Sequence, residues 1–466
     1  MWATSTGKDY LTQRKLQPNE RKMMSNSNQN MSFNNYVAVR YLGDLIPTGG
    51  RGTPVAPPTY IGREEKAPAF ASADSHPVPD SQSGYRAYLT DDNGAFIHRR
   101  AVVINSLGAE AGLIEQCILT NSHRLGIELP GFYLTSENIS DEQLEKIAGE
   151  AIKKFAKSDK KQTQYTASVL ARALRNDLES ANASNWTAAH RHVDSYIRHA
   201  EVDGKQIWEN PESEHYQFIS EASANKAEFL FRYFPGSALF GFWLSSVAQR
   251  RHKWARALSS TVIGYDAQPV SYGATKGDLL GGISTEVGLK RDPKTAAMIP
   301  DSSKNGKPSA VGLGLIPNTP TPQVFACDSI LRRASISLTH LRHLQLSDKQ
   351  LAEDFPQAAE QMAEVLAWLG IFGILAAARE GFLRSGCDLV TGKANSGFEL
   401  VDFDGETTTF DIELEGAIDG FKKAYAALPD ALKFAEPVRA NFPEVIVTAR
   451  ALTLLEESNT TKTDKE

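Results

Sequence analysis

Gly241-Phe-Trp-Leu-Ser-Ser-Val-Ala-Gln-Arg-Arg-His-Lys-Trp-Ala-Arg-Ala-Leu-Ser-Ser-Thr-Val-Ile-Gly-Tyr-Asp266 places a basic turn directly before a strand. Four cations, Arg250, Arg251, Lys253 and Arg256, fall within seven positions, and Trp243 and Trp254 flank them. Thr261, Val262 and Ile263 make the following run β-branched and strand-like. Cations interleaved with aromatics suit a nucleic-acid backbone with bases stacked beside it. Two plainer readings stand beside this one. A charge run can be solvated surface, and either tryptophan can be core.

The rest of the chain sets that strand in an α+β order. Tyr36 to Leu42 alternates Val37, Val39 and Tyr41 with Ala38 and Arg40, as a strand does. The loop Pro47-Thr-Gly-Gly-Arg-Gly-Thr-Pro54 sets three glycines around Arg51, which allows close backbone approach. Tyr85–Leu89 and Ala95–Ile104 read as a hairpin turning at Asp92-Asn93-Gly94, and Ala109–Leu119 as a helix. Ser140 and Gln143 form a capping box, followed by Leu144, Ile147, Ala148, Ala151, Ile152 and Phe155 at helical spacing. Thr163–Ala181 continues a helical insertion expected over residues 141 to about 232. Arg332–Leu344 reads as a strand entering a short helix and Gln357–Phe382 as a long helix. Phe398–Ile412 reads as a hairpin turning at Asp404-Gly405. Strands, helices, strands, helix and strands in that order predict α+β with inserted lobes.

At the margins, residues 1–35 are polar and predict a flexible extension, and residues 457–466 a disordered tail. Between them, 36–456 reads as one unit carrying the helical insertion and a long loop at Gly264–Val324, rich in Gly, Pro, Ser, Thr and Lys.

Charge is unevenly spread. The net charge is -6, which argues against a general basic coat. Yet Gly241–Lys294 holds eight Lys/Arg against four Asp/Glu, whereas Val401–Gly420 holds seven Asp/Glu and no cation. Cys117, Cys327 and Cys387 are odd in number and lack CxxC spacing, which fits a reduced, cytoplasmic setting. The N-terminus lacks the apolar core of a signal peptide. The longest apolar run, Val365–Ala378, has 14 residues, too few to span a bilayer, so no membrane is expected.

Enzyme signatures are sparse. There is no GxxxxGK[ST] loop and no GxSxG elbow, and Gly312-Leu-Gly314 meets Pro317 where a dinucleotide fingerprint needs glycine. His190, His192 and His199 with Asp194 could be a metal set or a polar helix surface that, with Arg191 and Arg198, faces RNA or a partner. No metal is expected. Asp402, Asp404, Glu406, Asp411, Glu413 and Glu415 could pair as carboxylates. The last three alternate with Ile412 and Leu414, as on the solvent face of a strand. A second basic patch, Arg332-Arg333 with His340, Arg342 and His343, follows the long loop, and arginine suits phosphate through its bidentate fork.

At these residues the chain resembles a known family, the RAMP-superfamily backbone subunit of subtype I-U (also termed I-G) CRISPR effector complexes. The similar segments run in order from about residue 36 to 425. They are AVRYLGDLIPTGGRGTPVAPPTYIG from Ala38, RRAVVINSLGAEAGLIEQCIL from Arg99, ALFGFWLSS from Ala238, HKWARALSSTVIGYDAQPVSYGATKGDLLGGI from His252, RRASISLTHLRHL from Arg332 and LGIFGILAAAREGFLRSGCDL from Leu369. The chain departs from the family pattern at Leu244–Gln249, which is longer and more apolar, and at Ala111–Glu115, where an Asn-Arg-Leu-Glu run is missing.

The resemblance implies an RRM-like (ferredoxin-like) palm with an inserted helical lobe and a thumb-like loop, Gly264–Val324, that wedges between bases. It implies copies stacked head-to-tail into a helical filament, a heterologous contact that does not close. The partners would be CRISPR RNA, target DNA reached through guide pairing, further copies of the chain and other Cascade subunits. The expected function is a non-enzymatic scaffold without cofactor. Arg250, Arg251, Lys253, Arg256 and Lys276 are the leading phosphate contacts, with Arg51, Arg332 and Arg333 second. The rival readings are a RAMP-type metal-dependent ribonuclease and a metabolic enzyme.

Overall fold

Val39, Tyr41 and Leu45 are buried and Arg40 and Leu42 exposed along the first strand, β1 (Tyr36–Pro47). This is the two-residue period of a sheet with one covered face. The structure is a computed structural model that describes residues 32–58, 85–90, 96–137, 139–159, 165–244, 252–270, 288–291, 297–301 and 324–460. After β1 come β2 (Tyr85–Thr90), β3 (Phe96–Asn105) and helix α1 (Leu107–Thr120). A large insertion follows, with β4 (Phe132–Thr135), α2 (Asp141–Asp159), α3 (Ala167–Ser180) and, at its end, β5 (Phe242–Leu244) and β6 (His252–Trp254). The chain returns as β7 (Leu258–Tyr265), β8 (Ser329–Ser337) and the long helix α4 (Ala358–Arg379). Then come β9 (Phe382–Arg384), β10 (Cys387–Asp402), β11 (Thr407–Phe410), α5 (Leu414–Ala426), β12 (Val438–Asn441) and α6 (Glu444–Thr460).

Eight strands make one antiparallel sheet in the order β9-β10-β1-β8-β7-β3-β2, with β11 beside β10. Within it, β1-α1-β7-β8-α4-β10 is a β-α-β-β-α-β chain whose strands lie as β10-β1-β8-β7. That is the ferredoxin-like split arrangement, so the α+β, RRM-like palm is the observed fold. The β2–β3 hairpin extends the sheet beyond β7.

Helix α4 is apolar almost all round because it is covered almost all round. It is the one described helix long and apolar enough to cross a bilayer, and most of it is buried inside the protein. It meets α1 closely: a Cβ at Gly373 would lie 2.7 Å from Ile114 and 2.8 Å from Ile118. Any side chain there would push the two helices apart.

The inner face of the sheet also holds a charged group. Glu110 on α1 is fully buried and accepts from Arg332 Nε at 2.9 Å, Ser260 Oγ at 2.7 Å and Asn105 Nδ2 at 2.7 Å. Arg332 Nη1 donates to the Ala377 carbonyl at 2.9 Å, and Arg384 Nη2 to Asn105 Oδ1 at 3.0 Å. A buried pair is stable only when its remaining lone pairs and protons are satisfied, as they are here.

Several boundaries differ from the sequence reading. Phe33 is buried and packs 5.2 Å from the Trp368 ring, so the ordered unit begins inside the expected flexible extension. Helix α6 runs to Thr460, past the expected start of the tail at 457, because Val447, Ala451 and Leu455 pack on α2 and α3. The helical lobe is thus completed by the C-terminus and is not confined to 141–232. Its capping box is present: Gln143 N donates to Ser140 Oγ at 3.2 Å and Ser140 N to Gln143 Oε1 at 2.8 Å. Within the expected loop 264–324, Gln268–Val270 pairs with Val324–Ala326 and Gly288–Arg291 with Met298–Asp301. Gly264 and Tyr265 end β7, and apart from Asp266, Ala267 and Ala297 the rest of that segment lies outside the described residues.

Replacing Arg332 by Met leaves the Glu110 carboxylate buried without its cation, and about 3–5 kcal/mol of stability should be lost. Arg333→Met, one residue on, should cost under about 0.5 kcal/mol because its side chain is exposed. Urea unfolding of the two variants checks this contrast. Equal losses would contradict the inward assignment of Arg332.

Candidate nucleic-acid interface

The short hairpin β5–β6 pairs Phe242 with Trp254, Trp243 with Lys253 and Leu244 with His252. Strand alternation sorts these rungs. Phe242, Leu244 and Trp254 are buried, whereas Trp243 is 69% exposed and Lys253 is exposed beside it. The two tryptophans therefore divide between the two readings open to them. Trp254 is core: its Nε1 donates to the Ala238 carbonyl at 2.8 Å and its ring stacks 3.9 Å from His340. Trp243 is a free aromatic face next to an ammonium group. Arg256 follows two residues after β6, exposed, with Nη1 3.5 Å from the Leu107 carbonyl. Arg250, Arg251 and Lys276 lie outside the described residues.

The root of this hairpin is tightly held. Gly241 has φ +78°, and a Cβ there would lie 2.8 Å from both Arg256 N and Trp254 O. Only glycine fits that approach.

Alternation decides the second basic patch as well. Arg332 is 2% exposed and bound to Glu110, which removes it from any phosphate-contacting surface. This corrects its place among the expected phosphate contacts: the Arg332-Arg333 pair is one patch in sequence but not in space. Neighbouring strand residues face opposite ways. Arg333 is on the open face, 5.9 Å over the Tyr265 ring. In the same face lie Arg40 and Leu42, paired across with Ser335 and Arg333, and next to these Ser259 and Thr261. Arg51 joins them from the glycine loop: it is half-exposed and its Nη2 donates to Asp44 Oδ2 at 2.6 Å. Asp44 follows Leu42 on the same side of β1 and is itself buried. Three guanidiniums, Arg40, Arg51 and Arg333, thus share one face. Arg40 was missed as a site residue although the alternation of Tyr36–Leu42 already set it opposite Val39 and Tyr41.

The other charged groups singled out in the sequence are held in local contacts. Among the described residues no three His, Cys, Asp or Glu side chains converge on a metal position. His190 Nδ1 is 3.2 Å from Asp194 Oδ2, His192 Nδ1 2.7 Å from Ser237 Oγ, and His199 Nδ1 3.2 Å from Gln206 Oε1. They sit on a turn, a 3-10 segment and the C-cap just past a short helix, not on one helix face. Asp402 Oδ1 accepts from the Asp404 and Glu406 amides at 3.0 and 2.9 Å and so shapes the β10–β11 turn. The expected strand through Asp411, Glu413 and Glu415 is absent. β11 ends at Phe410, and Glu415 is in the first turn of α5 and pairs with Arg124.

Residues 40–269 match the family described as CRISPR-associated protein GSU0053 (Cas_GSU0053). This match, over just under half of the chain, marks a CRISPR-associated protein. The match begins inside β1, takes in α1, the inserted lobe and the basic hairpin, and ends just past β7. It covers Arg40, Arg51, Lys253 and Arg256, while Arg333 lies beyond it. No curated protein matches the chain.

Beneath the hairpin of this CRISPR-associated protein, His192 is fully buried, stacked 4.4 Å from Phe234 and edge-on to Phe242 at 4.5 Å. Burial pushes its imidazole down to about 3, with Arg191 and His252 adding to the effect. The unfolded chain takes up a proton near pH 6.5. The folded chain refuses it until about pH 3, so stability is lost as pH falls through that window. From this group alone the loss at pH 5 should be about 2 kcal/mol. The check is denaturant unfolding at pH 7.5 and 5.0 for the parent and for His192→Gln. The variant should be weaker at both values but show a smaller drop between them; an equal drop would remove His192 as the source.

Proposed function

We propose that this chain is the RNA-binding backbone subunit of a CRISPR effector complex. It binds the guide RNA along a basic surface, oligomerises with further copies into a filament, and leaves the bases free to pair with target DNA. What carries the reading is the exposed Trp243–Lys253 rung with Arg256 beside it, set on an RRM-like palm and inside the CRISPR-associated match. An exposed aromatic beside an ammonium suits a single strand, whose bases stack and whose phosphates need cations. Arg40, Arg333 and Arg51 supply further guanidiniums on the open face of the same palm.

The protein reads backbone and shape, and sequence is delegated to the guide. Other Cascade subunits and the cytoplasm complete the setting. The latter agrees with three buried cysteines that form no disulfide. The subunit acts as a scaffold without chemistry of its own. Among the carboxylates of residues 402–415, Asp402 serves a turn, and Glu413 and Glu415 serve ion pairs. With Mg²⁺ present, bound RNA should stay intact. Specific cuts abolished by changing one carboxylate would make the protein a ribonuclease instead.

Neutralising Arg250, Arg251 and Arg256 together should weaken guide-RNA binding regardless of sequence. It should also flatten the dependence of log K on log salt by about 2, at about 0.7 per single-strand phosphate contact. Fluorescence anisotropy over a salt series measures both. An unchanged affinity in the triple variant would remove the hairpin from the interface.

A further inference from the structure

Arg191 lies between the histidines that first suggested a metal site, and its own contacts point elsewhere. Its Nε and Nη2 donate to Glu115 Oε1 and Oε2 at 2.7 and 2.9 Å, and its Nη1 to the Gly241 carbonyl at 3.0 Å. The guanidinium also lies 5.4 Å over the Phe240 ring. Glu115 belongs to α1 of the palm, and Gly241 is the root of the basic hairpin. One side chain therefore ties the hairpin to the palm. The backbone at Arg191 has φ +58°, a region that a non-glycine residue occupies only when its surroundings hold it there. Both partners are largely shielded, with side-chain exposures of 14% for Arg191 and 5% for Glu115. Burial pushes the Glu115 carboxyl up to about 7, and the Arg191 fork opposes that shift.

We infer that Arg191 is a positioning residue for RNA binding, one that sets the direction of the basic hairpin without touching RNA; this rests on the RNA-binding reading above. The lever is geometric. From Gly241 to Leu244 the strand extends about 10 Å at roughly 3.4 Å per residue. A swing of about 20° at the root moves that end by roughly 3 Å, the whole length of a hydrogen bond. The inner face of the hairpin has anchors of its own, Phe242 against His192 and Trp254 on Ala238. Loss of Arg191 therefore reorients the hairpin and leaves it folded. A lysine in its place keeps the charge but not the three-point fork.

The test is a salt series of anisotropy titrations with a fluorescein-labelled single-stranded RNA of CRISPR-repeat sequence. It compares the parent, Lys253→Ala/Arg256→Ala, Arg191→Ala, Arg191→Lys and the combined triple variant. Arg191→Ala should weaken binding as much as the Lys253/Arg256 double variant and flatten the salt slope by about 1.4, two single-strand contacts. Arg191→Lys should behave like Arg191→Ala, and adding Arg191→Ala to the double variant should change nothing further. A parental slope and affinity in Arg191→Ala, full rescue by lysine, or strict additivity would each overturn the positioning role. If the parent binds no RNA, or the double variant binds as the parent does, the RNA-binding reading fails, not the clamp. Should Arg191→Ala fail to fold, Glu115→Gln cuts the same tie from the other side and carries the same comparison.

Discussion

The Arg332–Glu110 pair is the constraint on which the palm depends. It is a buried ion pair with every polar atom engaged, and its partners come from β3, β7, α1 and the end of α4. Such a pair adds little net stability over a well-packed apolar one, because desolvation offsets the Coulomb attraction. What it adds here is register. A shift of one residue in β8 would turn Arg332 to solvent, leave Glu110 charged in the core and drive Arg333 into an apolar layer. Apolar alternation alone would resist that slip less sharply, since Ala334 and Ser335 differ little in size.

Register then determines the surface. Arg332 inward means Arg333 outward, beside Leu42 and diagonal to Arg40, at the spacing of about 7–8 Å that cross-strand diagonals have. The open face owes its cations to the same pairing that builds the core. At the hairpin the logic repeats with different chemistry: Trp254 turns in and meets His340, so Trp243 and Lys253 turn out together.

Period and turn chemistry made much of the fold legible in the sequence. The Asp404-Gly405 turn, the Ser140–Gln143 box and the alternation along β1 each use local rules, and each is present in the structure. What local rules do not contain is which strand lies beside which. The RRM-like palm was implied by the family resemblance, the β10-β1-β8-β7 order is seen only in the structure, and the completion of the helical lobe by α6 was not foreseen at all. Its apolar residues pack against helices nearly three hundred positions earlier in the chain. The site was legible in the same measure. A cluster of cations within seven residues stands out in any reading, whereas the opposite fates of Arg332 and Arg333, and the clamp on Arg191, depend on contacts with Glu110 and Glu115 in a distant helix.

The cations of the palm and hairpin thus include two distinct electrostatic populations. Arg332 and Arg191 face carboxylates that are shielded from water, where salt screens little. Lys253, Arg256, Arg40 and Arg333 are exposed, and none has an ion-pair partner among the described residues. Salt weakens only the second population. On the proposed RNA-binding role, a rise in ionic strength would therefore release the strand from the surface while the buried pairs stay intact. A net charge of -6 is compatible with this division, because the potential over a face follows the charges near it rather than the sum over the chain. On the proposed RNA-binding role, acidic residues elsewhere, such as the turn at Asp402–Glu406, would repel the same strand from other surfaces.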